Sequence, residues 1–176
     1  KCDWSSDVCS SDLWAQIHRD FRLAADRDGI VVDVRYNRGG HLSQLVVERL
    51  ARRVIGWDLG RYHAADSYPN QAPRGPVVFV SNQWSGSDGD IVCAAARAMG
   101  IGPIVGVRTW GGVVGIDGRF ALVDGTVVTQ PRYATWMSGF DFGLENHGVD
   151  PDIEVPFRPQ DYAAGNLISA LDAIES

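Results

Sequence analysis

The sequence predicts an α/β fold with a parallel sheet, and three observations carry that expectation. The order strand, glycine-rich turn, helix occurs a first time where Ile30-Val31-Val32-Asp33-Val34-Arg35-Tyr36 runs into Asn37-Arg38-Gly39-Gly40 and an apolar-striped segment from Ser43. It occurs again where Val77 to Val80 leads through Trp84-Ser85-Gly86-Ser87-Asp88-Gly89-Asp90 to the segment Ile91 to Met99. Strands alternating with helices pair in parallel, because each helix carries the chain back to the end of the sheet where the previous strand began. The third observation is size: 176 residues, 45% of them hydrophobic, are enough to bury one domain's core.

Taken in order, Trp14, Ile17, Phe21 and Ala24/Ala25 recur at helical spacing and stop at Asp28-Gly29, an amphipathic helix closed by glycine. The β-branched run Ile30 to Tyr36 reads as a buried strand. A helix starting near Ser43 carries Leu45, Val46, Leu50 and Val54 on one face, and Ser67 to Gly75, with Pro69 and Pro73, reads as a surface loop. Val77 to Val80 is the next strand; the helix that begins near Asp88 is stopped by Gly100, and Ile104 to Val107 is a third strand. Then the character changes. Arg119 to Val123 and Thr126 to Thr129 flank Asp124-Gly125, a hairpin signal. Met137 to Asp150 is a loop rich in Gly, Asp and Asn, Asp152-Ile153-Glu154-Val155 is a short strand, and Asp161 to Ile174 is a closing helix with Leu167, Ile168, Leu171 and Ile174 as its stripe.

Composition excludes several function classes. With 22 acidic against 16 basic residues the formal net charge is −6, which disfavours sequence-independent nucleic-acid binding. No apolar run approaches the ~18 residues of a membrane span. Cys2, Cys9 and Cys93 are too few and too scattered for a disulfide framework or a four-ligand zinc site, so a reducing, cytoplasmic setting without a secretory leader is expected. Residues 1–13, with Ser-Ser-Asp repeated at positions 5 and 10, lack helical or strand periodicity and resemble translated sequencing-adapter sequence. That tract is set aside as non-native, leaving 14–176 as one domain. It also holds the sole lysine, Lys1.

Two glycine-rich turns at the carboxyl ends of consecutive strands lie where open α/β sheets bind ligands. Gly39 and Gly40 lack Cβ atoms, so the backbone there can approach a substrate and turn its N–H groups into an oxyanion hole; the same pair serves equally as a tight turn that needs positive φ. Ser87 stands where the second turn meets its helix, as a nucleophile at the positive end of the helix or as an ordinary N-cap, with Ser85 a weaker competitor. Asp88 and Asp90 are first-turn acids; as metal ligands they lack both the alternating loop of a calcium site and a nearby histidine pair. A serine nucleophile needs a base. His18, His41, His63 and His147 each have an ordinary structural reading, and a Ser-Lys dyad is disfavoured because the sole lysine, Lys1, lies in the tract set aside.

The stretches Val32 to Gly40, Ser85 to Asp90 and Glu145-Asn146-His147-Gly148-Val149-Asp150-Pro151-Asp152-Ile153, in that order, resemble the C-terminal catalytic domain of the tricorn branch of the C-terminal-processing and tail-specific serine peptidases. The resemblance runs from about Trp14 to the end and implies a ClpP/crotonase-like parallel-sheet core with flanking helices and a C-terminal β-hairpin region. It implies that Ser87 is the nucleophile, that the amides of Gly40 and Asp88 form the oxyanion hole, and that Glu145 belongs to the network orienting the catalytic histidine through an upstream serine. Gly39 would border the substrate and Asp58 would receive a basic P1 side chain. Processing peptidases proper use a lysine base near Thr109-Trp110-Gly111-Gly112; its absence favours the tricorn branch. Peptide substrates, a homo-oligomer (a hexamer) and no cofactor or metal follow from the same likeness.

Tricorn draws its histidine and that serine from a helical domain, with a PDZ-like domain and propellers further upstream. None fits before Trp14, so the chain is expected to be a C-terminal fragment with half an active site, inactive alone. Two other classes stay open: a crotonase-like acyl-CoA enzyme, which would not need Ser87, and a catalytically inactive binding or assembly domain.

Overall fold

The computed structural model describes residues 10–156 and 158–164, so the tract at 1–9 and the apolar stripe of the expected closing helix lie outside the described residues. In chain order the elements are α1 (Ser10–Ala24), β1 (Ile30–Asp33), α2 (Ser43–Leu50), β2 (Gly56–Asp58), β3 (Asp66–Tyr68), β4 (Val77–Ser81), α3 (Asp88–Ala98), β5 (Ile104–Gly106), β6 (Gly115–Asp117), β7 (Gln130–Tyr133), β8 (Ile153–Glu154) and α4 (Pro159–Ala164). The central sheet has the order β1-β4-β5-β8 with every pairing parallel, the mixed α/β arrangement that the strand–turn–helix repeat predicts. No described helix is long and apolar enough to cross a membrane.

Strand β4 lies between two neighbours, and all five of its residues are buried. Phe79 on β4 and Ile104 on β5 are fully enclosed with Leu144 and Val149, each such side chain contributing roughly 1.5–3 kcal/mol. Helix α3 packs against α2 and the sheet through Val92, Cys93, Ala94 and Ala96, small residues that let the helix sit close. Gly100, at φ 60°, ends it as expected. Beyond β5 the chain returns at β8, held by Asp152, whose Oδ2 accepts the Ile104 N–H at 2.7 Å while Oδ1 pairs with Arg97 at 2.9 Å.

The structure corrects several sequence readings. Strand β1 is an edge strand, not a buried one: its residues alternate between half-buried and exposed, and Val31 is 50% exposed. Its regular pairing ends at Asp33, which accepts from the backbone and guanidinium of Arg35 and turns the chain toward Asn37. Helix α1 begins at Ser10, before the apolar pattern starts. Helix α2 ends at Leu50 rather than Val54, because the chain enters β2, which pairs antiparallel with β3 at the start of the expected surface loop. Strands of three residues are too short for alternation to reveal them. The hairpin does turn at Asp124-Gly125, where the Thr126 N–H donates to Asp124 Oδ1 at 2.9 Å and Ala121 bridges Val127. Its regular ladder lies further out, between β6 and β7, where Asp117 pairs with Arg119 and Arg132.

Candidate active site

Because the four sheet strands run parallel, the loops after β1, β4 and β5 leave from one edge, and backbone hydrogen bonds tie them together. The Gly86 N–H donates to the Asn37 carbonyl at 2.7 Å, and the Trp110 N–H to the Ser85 carbonyl at 2.9 Å. Ser85 is fully buried; its hydroxyl donates to the Val34 carbonyl at 3.0 Å and accepts from the Asn82 N–H at 3.1 Å. Those bonds make Ser85 a loop fastener and remove it as a competitor.

Ser87 is different. It sits at the N-cap position of α3 with φ 54° and ψ −113°, and its side chain makes no capping hydrogen bond. A non-glycine residue held there carries on the order of 1–3 kcal/mol of backbone strain. The strain aims a half-buried hydroxyl out of a sharp strand-to-helix turn, the geometry of a nucleophile elbow. The capping reading thus fails on geometry. Directly against Ser87 stands Gly39, at φ 128°, where an added Cβ would lie 3.2 Å from Ser87 Oγ. Gly40 follows at φ 150°. The Gly39 N–H is taken by Asn37 Oδ1 at 2.9 Å, whereas the N–H groups of Gly40 and Asp88 meet no acceptor among the described residues.

The two acids of the α3 first turn each hold backbone amides of another segment. Asp88, 6% exposed, reaches across with Oδ2 to the N–H groups of Leu42 at 2.8 Å and Ser43 at 2.9 Å. Asp90 is fully buried and accepts the N–H groups of Gly111 on Oδ1 at 2.8 Å and Gly112 on Oδ2 at 3.1 Å. Burial raises its pKa, against opposing hydrogen bonds from the Thr109 side chain, the Gly111 and Gly112 amides and, least, the Ser87 amide. Such an acid favours the folded state most below the ordinary carboxylate range and loses that contribution as pH rises through its raised pKa. In Asp90→Asn one of the two glycine N–H groups faces an amide donor, costing roughly 1–3 kcal/mol. Melts of parent and variant at a series of pH values should show a lower Tm for the variant and a difference that narrows as pH rises above the ordinary carboxylate range.

Glu145, half-buried on the loop before β8, uses Oε2 to accept the N–H groups of Val113 at 2.6 Å and Val114 at 2.8 Å. Its Oε1 accepts from no described residue. The Asn146 N–H donates to the Gly111 carbonyl at 2.6 Å, and the Val149 N–H to Thr109 Oγ1 at 2.8 Å, so the Glu145 loop and the Asp90-bound loop are tied together. The structure therefore gathers Ser87, Gly39, Gly40 and Asp88, and joins Glu145 to them through Asp90. Asp58 is not gathered: it is exposed on β2, in the separate two-stranded sheet.

Among the described residues no imidazole is hydrogen-bonded to Ser87. His18 contacts Arg49 Nη2 at 3.3 Å, His63 the Ala64 carbonyl at 2.8 Å, and His147 pairs through Nε2 with Asp150 at 2.8 Å, while His41 is exposed. Cys93 is no rival nucleophile, since burial pushes its thiol up to about 12. Sequence reasoning missed the roles of the Asp88 and Asp90 carboxylates. The Ser-x-x-Asp spacing from Ser87 to Asp90, that of a capping box, could have pointed to the second.

A serine hydroxyl on a strained turn, without a hydrogen-bond partner among the described residues and beside two backbone amides that meet no acceptor among them, is the equipment of acyl transfer by a serine hydrolase. Residues 8–155 match peptidase family S41, and the chain belongs to that family. It is 70% identical over 152 residues to tricorn protease homolog 1 of Streptomyces coelicolor, covering 86% of this chain and 14% of that one. To the tricorn protease of Thermoplasma acidophilum it is 43% identical over 162 residues, covering 90% and 15%. The crystal structure of tricorn protease matches with a TM-score of 0.85 at 42% identity over 92% of this chain and 16% of that one. The photosystem II D1 C-terminal processing protease matches at 0.55 and 25% identity, over 83% and 40%. The likeness to the tricorn catalytic core thus holds, and the chain spans only 14–15% of the length of these curated relatives.

Proposed function

We propose that this chain is the catalytic core of a tricorn-like serine peptidase that cleaves short peptides through an acyl-enzyme on Ser87. The observation that carries the reading is the strained Ser87, whose side chain makes no capping bond, beside the amides of Gly40 and Asp88, which meet no acceptor among the described residues. Ser87 Oγ attacks the scissile carbonyl carbon as its proton passes to a base, and the carbonyl oxygen becomes an oxyanion held by the two amides. Collapse breaks the C–N bond, and the amine leaves with that proton. Water then attacks the ester carbon and gives a proton to the same base; the C–O bond to Ser87 breaks, the base returns that proton to Ser87 Oγ, and the acid leaves.

The base is an imidazole from beyond this chain, by the likeness to tricorn, and Glu145 Oε1 is the oxygen left to help orient it. Residues 14–176 are the catalytic core, of the ClpP/crotonase-like type, and 1–13 a non-native tract. A cytoplasmic hexamer is the proposed working form. The acyl-CoA and inactive-domain readings are not favoured, since neither uses a serine hydroxyl held under backbone strain.

Asp58 is the proposed partner of a basic P1 side chain. An exposed carboxylate discriminates weakly, so in a tricorn-length protein carrying this core Asp58→Asn should lower kcat/KM for Arg-P1 peptides by about two- to fivefold. Leu-P1 peptides should be nearly unaffected. Equal losses for the two would make Asp58 a surface acid only, and failure of the parent to cleave either peptide would refute the peptidase reading.

A further inference from the structure

The Asp88 carboxylate serves a helix other than its own. An acid in the first turn ordinarily faces the amides of its own helix. Asp88 Oδ2 instead accepts the Leu42 and Ser43 N–H groups, 46 and 45 residues upstream, at the start of α2. Helix α2 has no cap of its own, because its N-cap position is the apolar Leu42. Asp88 and Ser43 are each only 6% exposed, so losing the carboxylate would leave amides without solvent to replace it.

What this bond holds is the stretch from Gly39 to Leu42. At its other end the stretch is fixed by Asn37, whose Oδ1 takes the Gly39 N–H at 2.9 Å and whose carbonyl takes the Gly86 N–H at 2.7 Å. Gly40 lies between the anchors; a Cβ added to it would come 3.6 Å from Asp88 Oδ2. One residue thus carries one candidate oxyanion amide on its backbone and grips, with its side chain, the loop that carries the other.

We infer that the Asp88 side chain is a positioning residue that sets the spacing of the two oxyanion-hole amides. This rests on the peptidase reading above. An oxyanion needs both donors within about 2.7–3.1 Å, and a displacement of about 1 Å can cost on the order of 10²-fold. Both bonds go to a single oxygen, so asparagine can keep them with its one carbonyl oxygen, while alanine keeps neither.

The test is steady-state kinetics on Arg-P1 peptides, with active-site titration, in a tricorn-length protein carrying this core. Asp88→Ala should lower kcat per titrated site by about 30- to 100-fold with KM little changed, and weaken binding of a peptide aldehyde in parallel. Asp88→Asn should recover at least about tenfold of that loss. Should Asp88→Ala not fold, Asp88→Glu, which displaces the acceptor by one methylene, should show the same kcat-selective loss against Asp88→Asn. The inference is overturned if kcat per site is unchanged in Asp88→Ala, or in Asp88→Glu where that variant stands in, or if Asp88→Asn falls as far as the variant it is compared with. Ser87→Ala separates the two levels. If it keeps parental turnover, the reading of Ser87 as the acyl-forming nucleophile fails and this inference with it; if it is inactive while Asp88→Ala is unimpaired, only this inference fails.

Discussion

Replacing Ser87 by alanine in a tricorn-length protein carrying this core should lower peptide turnover by on the order of 10³-fold or more. Covalent catalysis disappears with Oγ, and any residual rate comes from binding and from the Gly40 and Asp88 amides. The substitution leaves the fold almost untouched, since the side chain makes no capping bond and relief of backbone strain is not at stake in a change to alanine. Ser85→Ala is the informative control. Its hydroxyl links Val34 and Asn82 in the buried loop, so that variant should lose stability, roughly 1–3 kcal/mol, and much less turnover per folded molecule. Near-parental turnover in Ser87→Ala would remove the nucleophile assignment.

The 176-residue chain by itself should melt cooperatively and hydrolyse no peptide. Cooperative folding follows from the continuous core that Phe79, Ile104, Leu144 and Val149 form beneath α3. The lack of hydrolysis follows from the proton. Transfer from Ser87 Oγ needs a base within about 3 Å, and the partners of His18, His63 and His147 hold those rings elsewhere. His41 stands one residue past Gly40, where a ring would crowd the substrate carbonyl rather than the attacking oxygen. Turnover by the isolated chain that vanishes in His41→Ala but survives His18→Ala and His147→Ala would place the base inside the chain and reverse this expectation.

Much of this was legible in the residues. The parallel sheet announced itself because β4 and β5 are β-branched runs between glycine turns and an alanine-rich helix, and the loop carrying Ser87 fell where such a sheet binds ligands. Pattern alone left Ser87 between cap and nucleophile, since the two differ only in where Oγ points, a matter of φ and ψ. The Asp88 and Asp90 contacts were hidden for another reason. Their partners are backbone amides 45 and 21 residues away, and a backbone amide has no sequence signature. The β2–β3 pair has no sequence signal because strands of three residues carry no period, and β1 reads as buried because an edge strand and a central one can share the same β-branched composition.

The central claim is that Ser87 is the nucleophile and that the amides beside it receive the oxyanion. A diphenyl phosphonate with a basic side chain tests it most directly, because its phosphorus accepts a serine oxygen while its phosphoryl oxygen occupies the oxyanion site. In the tricorn-length protein, mass mapping should find one adduct per chain, on the peptide containing Ser87, and none in Ser87→Ala. An adduct on a different residue, or labelling undiminished in Ser87→Ala, would contradict it.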